Sequence, residues 1–79
     1  MPAHVLFFGA TAEMAGKRKI EIEPAPDMTA GSLVERLVSD YPALASHKLR
    51  ISVNQTYADA AEPVSDGDEV AVFTAVSGG

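Results

Sequence analysis

Few residues in this chain have the chemistry to react, and the most suggestive are the last four, Val76-Ser77-Gly78-Gly79. There is no cysteine, which excludes disulfides, thiolate metal sites and a cysteine nucleophile. The two histidines, His4 and His47, have no metal-ligand spacing, and no metal site is expected. What remains is the α-carboxylate of Gly79. Glycine loses the most backbone entropy on ordering and packs nothing, so a Gly-Gly end is a poor way to finish a domain. It suits a tail that must thread, fully extended, into a narrow slot on another protein and present its carboxylate there. A frayed end or an expression scar would leave the same two residues.

The elements that would position such a tail can be read in order. His4-Val5-Leu6-Phe7-Phe8 is a short apolar run between Pro2 and Gly9, a strand with Val5 and Phe7 on one face and Leu6 and Phe8 on the other. Ala10 to Ala15 holds helix formers and stops at Gly16, which predicts one or two helical turns. Lys17-Arg18-Lys19 is a basic cluster of the size that more often forms a solvated turn than a binding patch. Lys19 to Glu23 alternates strictly, so Ile20 and Ile22 point inward and Pro24 and Pro26 end the strand. The two strands form an antiparallel hairpin with the short helix inserted.

Thr29 is a good N-cap, and Leu33, Val34, Leu37, Val38 and Tyr41 then fall at helical spacing. Pro42 sets the end of that helix near Asp40, with a further turn over Ala43 to Ser46. Leu49, Ile51 and Val53 face inward from a third strand. Asn54-Gln55 makes a turn, and Thr56-Tyr57-Ala58 a short fourth strand. Ser65-Asp66-Gly67-Asp68 is a turn that leads into the last strand, Glu69 to Phe73.

One helix and one apolar sheet face match each other in amount, so the expected fold is α+β, a mixed sheet wrapped on a single main helix. With the first and last strands adjacent at its centre, this is the β-grasp, or ubiquitin-like, architecture. The chain reads as one domain, residues 1–79, with a flexible tail over 74–79. Phe8, Phe73 and Tyr57 then lie on the face away from the helix, where nothing is left to cover them. Exposed aromatics beside a tail read as a docking patch, although single exposed aromatics are common.

The net charge is −5, and its excess lies in Asp59, Glu62, Asp66, Asp68 and Glu69, a stretch without one basic residue. That balance repels nucleic acid and steers toward basic partners. No apolar run reaches membrane-spanning length and the N-terminus has no signal-peptide pattern, so no membrane association is expected and a cytoplasmic location is.

Val5-Leu6-Phe7-Phe8, Val53-Asn54-Gln55, Asp66-Gly67-Asp68-Glu69-Val70-Ala71 and Val76-Ser77-Gly78-Gly79 together resemble the ubiquitin-like sulfur carriers, in particular the small subunit of molybdopterin synthase. The resemblance implies that an E1-like adenylyltransferase activates Gly79 with ATP and that sulfur then converts it to a thiocarboxylate. It implies that the tail, Val76 and Ser77 with Gly78 and Gly79, enters a large subunit within a heterotetramer and gives up its sulfur to build molybdopterin. It implies no stably bound cofactor and no catalysis by this chain alone. Carriage of sulfur for the thiamin thiazole, a ubiquitin-like protein modifier and a plain interaction domain are the alternatives. Two places depart from the family's pattern. Thr74 and Ala75 stand where it often has two prolines, and Ala12 stands where many members carry an arginine thought to hold the activating partner.

Overall fold

The computed structural model describes residues 2–74, so the expectations for Val76, Ser77, Gly78 and Gly79 lie outside the described residues. Strand β1 (Ala3–Phe7) is followed by the short helix α1 (Ala10–Ala15) and strand β2 (Lys19–Ile22). Helix α2 (Ala30–Asp40), a 3-10 turn (Pro42–Ser46), and strands β3 (Leu49–Val53), β4 (Thr56–Tyr57) and β5 (Glu69–Thr74) complete the order.

The strands stand in the order β2-β1-β5-β3-β4. β1 runs parallel to β5, and every other pair is antiparallel. The first and last strands therefore lie side by side inside the sheet, the β-grasp arrangement that the element order predicts. β5 reaches one residue further than its apolar pattern suggests, because Thr74 pairs with Leu49.

Local chemistry accounts for the element ends. Gly16 closes α1 at φ 71°, a left-handed conformation that costs glycine little. Thr29 caps α2 as expected, accepting from the Ser32 amide at 3.2 Å, while the Ser32 hydroxyl accepts from the Thr29 amide at 2.9 Å. Tyr41, kept out of helical geometry by Pro42, ends the helix.

The core lies between α2 and one sheet face. Val5, Val70 and Val72 from the sheet meet Leu33 and Leu37 from the helix, all fully buried. Burial of each such side chain is worth about 1.5–3 kcal/mol before entropy. Leu44 of the 3-10 turn closes one end, and Met28 and Val64 close the other. Phe7 and Tyr41 meet edge-to-face with ring centroids 5.8 Å apart.

Candidate functional site

β5 is the last element of the described chain, and its neighbours fix where Thr74 stands. β1 holds it from Glu69 to Val72, and β3 from Val70 to Thr74. Two devices fix it further. At its start, Asn54 joins the β3–β4 hairpin to the turn before β5. The Asn54 side-chain amide donates to Asp68 Oδ1 at 3.0 Å, and its carbonyl accepts from the Glu69 amide at 3.0 Å. The Asn54 amide donates to the Glu69 carbonyl at 2.7 Å, and the Ser65 amide to Asp68 Oδ2 at 2.8 Å. The Val53-Asn54-Gln55 and Asp66-Gly67-Asp68-Glu69 motifs, far apart in sequence, are thus one hydrogen-bonded unit that sets the register of β5.

Near its far end, β5 is held by Thr11, the one buried polar side chain among the described residues. Its hydroxyl lies 2.8 Å from the Val72 carbonyl and 2.7 Å from that of Phe8, so its single proton serves one or shares between both. Sequence reading passed over Thr11 as an ordinary helix residue. The only signal was a threonine among alanines in a helix too short to stand alone.

On the face away from α2, the structure brings Tyr57 and Phe73 together, with ring centroids 5.8 Å apart and planes tilted by 59°. Tyr57 is 73% exposed and Phe73 is half-buried. They line a shallow hollow of about 260 Å³ with Ser52 and Gln55. Gln55 holds φ 70°, and Asn54 φ 51°. Asparagine tolerates that conformation; glutamine is strained in it, a cost of about 1–2 kcal/mol that the two-residue hairpin imposes. The strain fixes Gln55 at the rim of the hollow.

Phe8 is not part of this pair. It is 51% exposed but lies beyond the last β1 pairing, where Gly9 turns the chain at φ 58°. It lines a separate hollow against α1 with Ala12, Glu13 and Arg18, and no ring contact links it to Phe73 or Tyr57. His4 faces Glu21 across the β1–β2 ladder, Nδ1 to Oε2 3.3 Å, and is half-exposed, as a surface histidine should be. Among the described residues no cluster of His, Asp and Glu could hold a metal ion, and no helix is long and apolar enough to cross a membrane.

The site is therefore a doubly paired central strand with an aromatic pair at its side. Residues 5–79 match the model of the ThiS family. The chain belongs to the ThiS family. It is 40% identical over 79 residues to the molybdopterin synthase sulfur carrier subunit of Escherichia coli, covering 95% of this chain and 96% of the relative. It is 36% identical to the protein of the same name from Mycobacterium tuberculosis, covering 96% and 95%. The small archaeal modifier protein 1 of Haloferax volcanii is 33% identical, covering 91% and 94%. A crystal structure of a Haloferax protein of that name superposes with a TM-score of 0.83 at 27% identity, covering 95% and 98%. The ubiquitin-like β-grasp fold and the family resemblance read from the four motifs are both correct.

Proposed function

We propose that this chain is a sulfur carrier that serves as the small subunit of a molybdopterin synthase, with Gly79 as the last residue of its working form. The observation that carries the reading is the central, doubly held β5, five residues before the end of the sequence at Gly79, in a ThiS-family chain whose relatives bear the sulfur-carrier name.

The chemistry has three steps. The Gly79 carboxylate attacks the α-phosphorus of ATP on an E1-like adenylyltransferase, and pyrophosphate leaves. A sulfur nucleophile on a donor then attacks the acyl carbon of the mixed anhydride, and AMP leaves. With a persulfide as that nucleophile, a second thiol attacks the donor's sulfur in the resulting acyl disulfide, forming a disulfide with the donor and releasing the terminal thiocarboxylate, which is delivered in a large subunit to the pterin precursor of molybdopterin. A bare carboxylate is a poor electrophile, so the anhydride is required. Side chains next to that carbon would obstruct both partners, so the last two positions are glycine. Tyr57 and Phe73 form the docking patch, Val76 and Ser77 line the entering tail, and Phe8 and α1 face the activating partner. The partners supply the acid, base and nucleotide site; this chain supplies the carbonyl carbon and its aim.

Intact mass after incubation with an E1-like enzyme, ATP and a sulfur donor tests the proposal. A carrier exchanges one oxygen for one sulfur, localised to Gly79. The modifier name of the Haloferax relative favours a second reading, conjugation of Gly79 to lysines of other proteins. Isopeptide adducts in the same incubation, with no thiocarboxylate, would establish that reading instead.

A further inference from the structure

The topology gathers charges that lie far apart in the sequence. Lys19 is opposite Leu6 on β1, and Arg18 accepts the Phe7 amide through its carbonyl at 2.9 Å. Lys17 Nζ sits 6.0 Å from the centre of the Tyr41 ring, which itself meets Phe7 edge-to-face. Arg50 is opposite Phe73, and Lys48 precedes the Leu49–Thr74 pair. All five cations thus stand at the end of the sheet from which the chain leaves Thr74, on both flanks of β1 and β5. All five are exposed, and among the described residues none has a carboxylate within ion-pair distance. Among the described residues two carboxylates share that end: Glu13, and Asp40 lying 4.0 Å from Arg36.

The opposite end is acidic. Glu69 and Glu21 flank His4, Asp68 accepts the His4 amide through its carbonyl, and Glu62 accepts that of Ala30. No lysine or arginine stands there. The strands between the two ends run for about 17 Å, while charges are screened over about 8 Å at physiological salt. A partner approaching the tail therefore meets the local positive charge and not the net charge of −5.

We infer that Lys17, Arg18, Lys19, Lys48 and Arg50 form a cationic collar around the tail exit that guides it onto a partner protein whose slot has an acidic rim. The inference rests on the reading above that the tail is presented to a partner. A nucleic acid is the less suited occupant, because the acidic end repels a long polyanion lying along the molecule. Electrostatic guidance acts on the association rate, by ten-fold or more for a focused field.

The test is stopped-flow association of the full chain with the large molybdopterin synthase subunit of the same organism at rising salt. The wild-type rate is expected to fall steeply with salt. The combined Lys17→Glu, Lys19→Glu and Arg50→Glu variant should associate at least ten-fold more slowly, with little change in dissociation. Reversal at the other end, Glu21→Lys, Glu23→Lys and Glu62→Lys, should leave the rate within two-fold. Equal effects at both ends, or none at the collar, would overturn the inference. Circular dichroism confirms that each variant is folded. Absence of any complex would defeat the synthase reading but not the collar, which a hexaglutamate peptide probes independently by NMR. Salt-sensitive amide shifts confined to residues 17–19 and 48–50 support the collar; shifts elsewhere, none at all, or stronger binding of duplex RNA contradict it.

Discussion

At the scale of single residues, the site divides into groups that the proposed function turns toward a partner and groups that hold β5. Phe73 and Tyr57 belong to the first. Phe73→Asp places a charge in the proposed interface and removes the ring that Tyr57 packs on. Buried aromatic anchors are worth about 2 kcal/mol or more at an interface, so affinity for the large subunit should fall roughly thirty-fold or more. The half-buried position should make the loss of folding stability much smaller. Wild-type affinity in that variant, read by calorimetric titration, would remove the patch from the account. Thr11 belongs to the second group. Thr11→Val keeps the shape and removes the hydroxyl, while the Val72 carbonyl keeps its bond from the Phe8 amide at 3.0 Å. The expected cost is about 1 kcal/mol, measured by urea unfolding, with faster amide exchange at the end of β5. Asn54→Ala removes two side-chain hydrogen bonds and a residue suited to positive φ, which should cost about 2 kcal/mol.

At the scale of elements, what was legible in the sequence was local. The Thr29 cap, the apolar stripe of α2, the stop at Pro42, the alternation of β2 and β3, and the turns at Asn54 and Gly67 are all written in spans of a few residues. The contacts that finish the fold are not. Thr11 reaches the Val72 carbonyl across 61 positions, and Asn54 reaches Asp68 across 14. No periodicity marks either. Val64 and Met28, outside every strand and helix, are core because Thr29 bridges Pro63 and the Val64 amide donates to the Met28 carbonyl at 3.0 Å. Phe8 was placed with Phe73 on strand alternation alone, and Gly9 breaks that alternation one residue later.

The same long connection explains Gly31. Its amide donates to the Ala60 carbonyl at 3.0 Å, and a Cβ added there would lie 2.9 Å from that of Ala60. In an open helix, Gly→Ala stabilises by roughly 1 kcal/mol. Here the clash should reverse the sign, so Gly31→Ala is expected to lower the midpoint of thermal unfolding. A raised midpoint would show that the 58–63 connection yields without cost.

At the scale of the whole molecule, the fold orders three things along the strand axis. The acidic end lies behind, the held strand lies between, and the cations surround the exit. The overall charge of −5 conceals this arrangement, because the charges lie on segments that only the sheet order brings together. Lys17-Arg18-Lys19 read alone as a solvated turn gains its meaning from Lys48 and Arg50 on the far side of β5. On the proposed function, a body built in this way is a handle for aiming one carbonyl carbon.

Removing that carbon tests the claim most directly. A chain lacking Gly79 should melt at the same temperature as the full protein, because a glycine has no side chain to bury. In a reconstituted sulfuration assay with the activating enzyme, ATP, a sulfur donor, the large subunit and the pterin precursor, it should transfer no sulfur. Turnover at the full protein's rate would contradict the account.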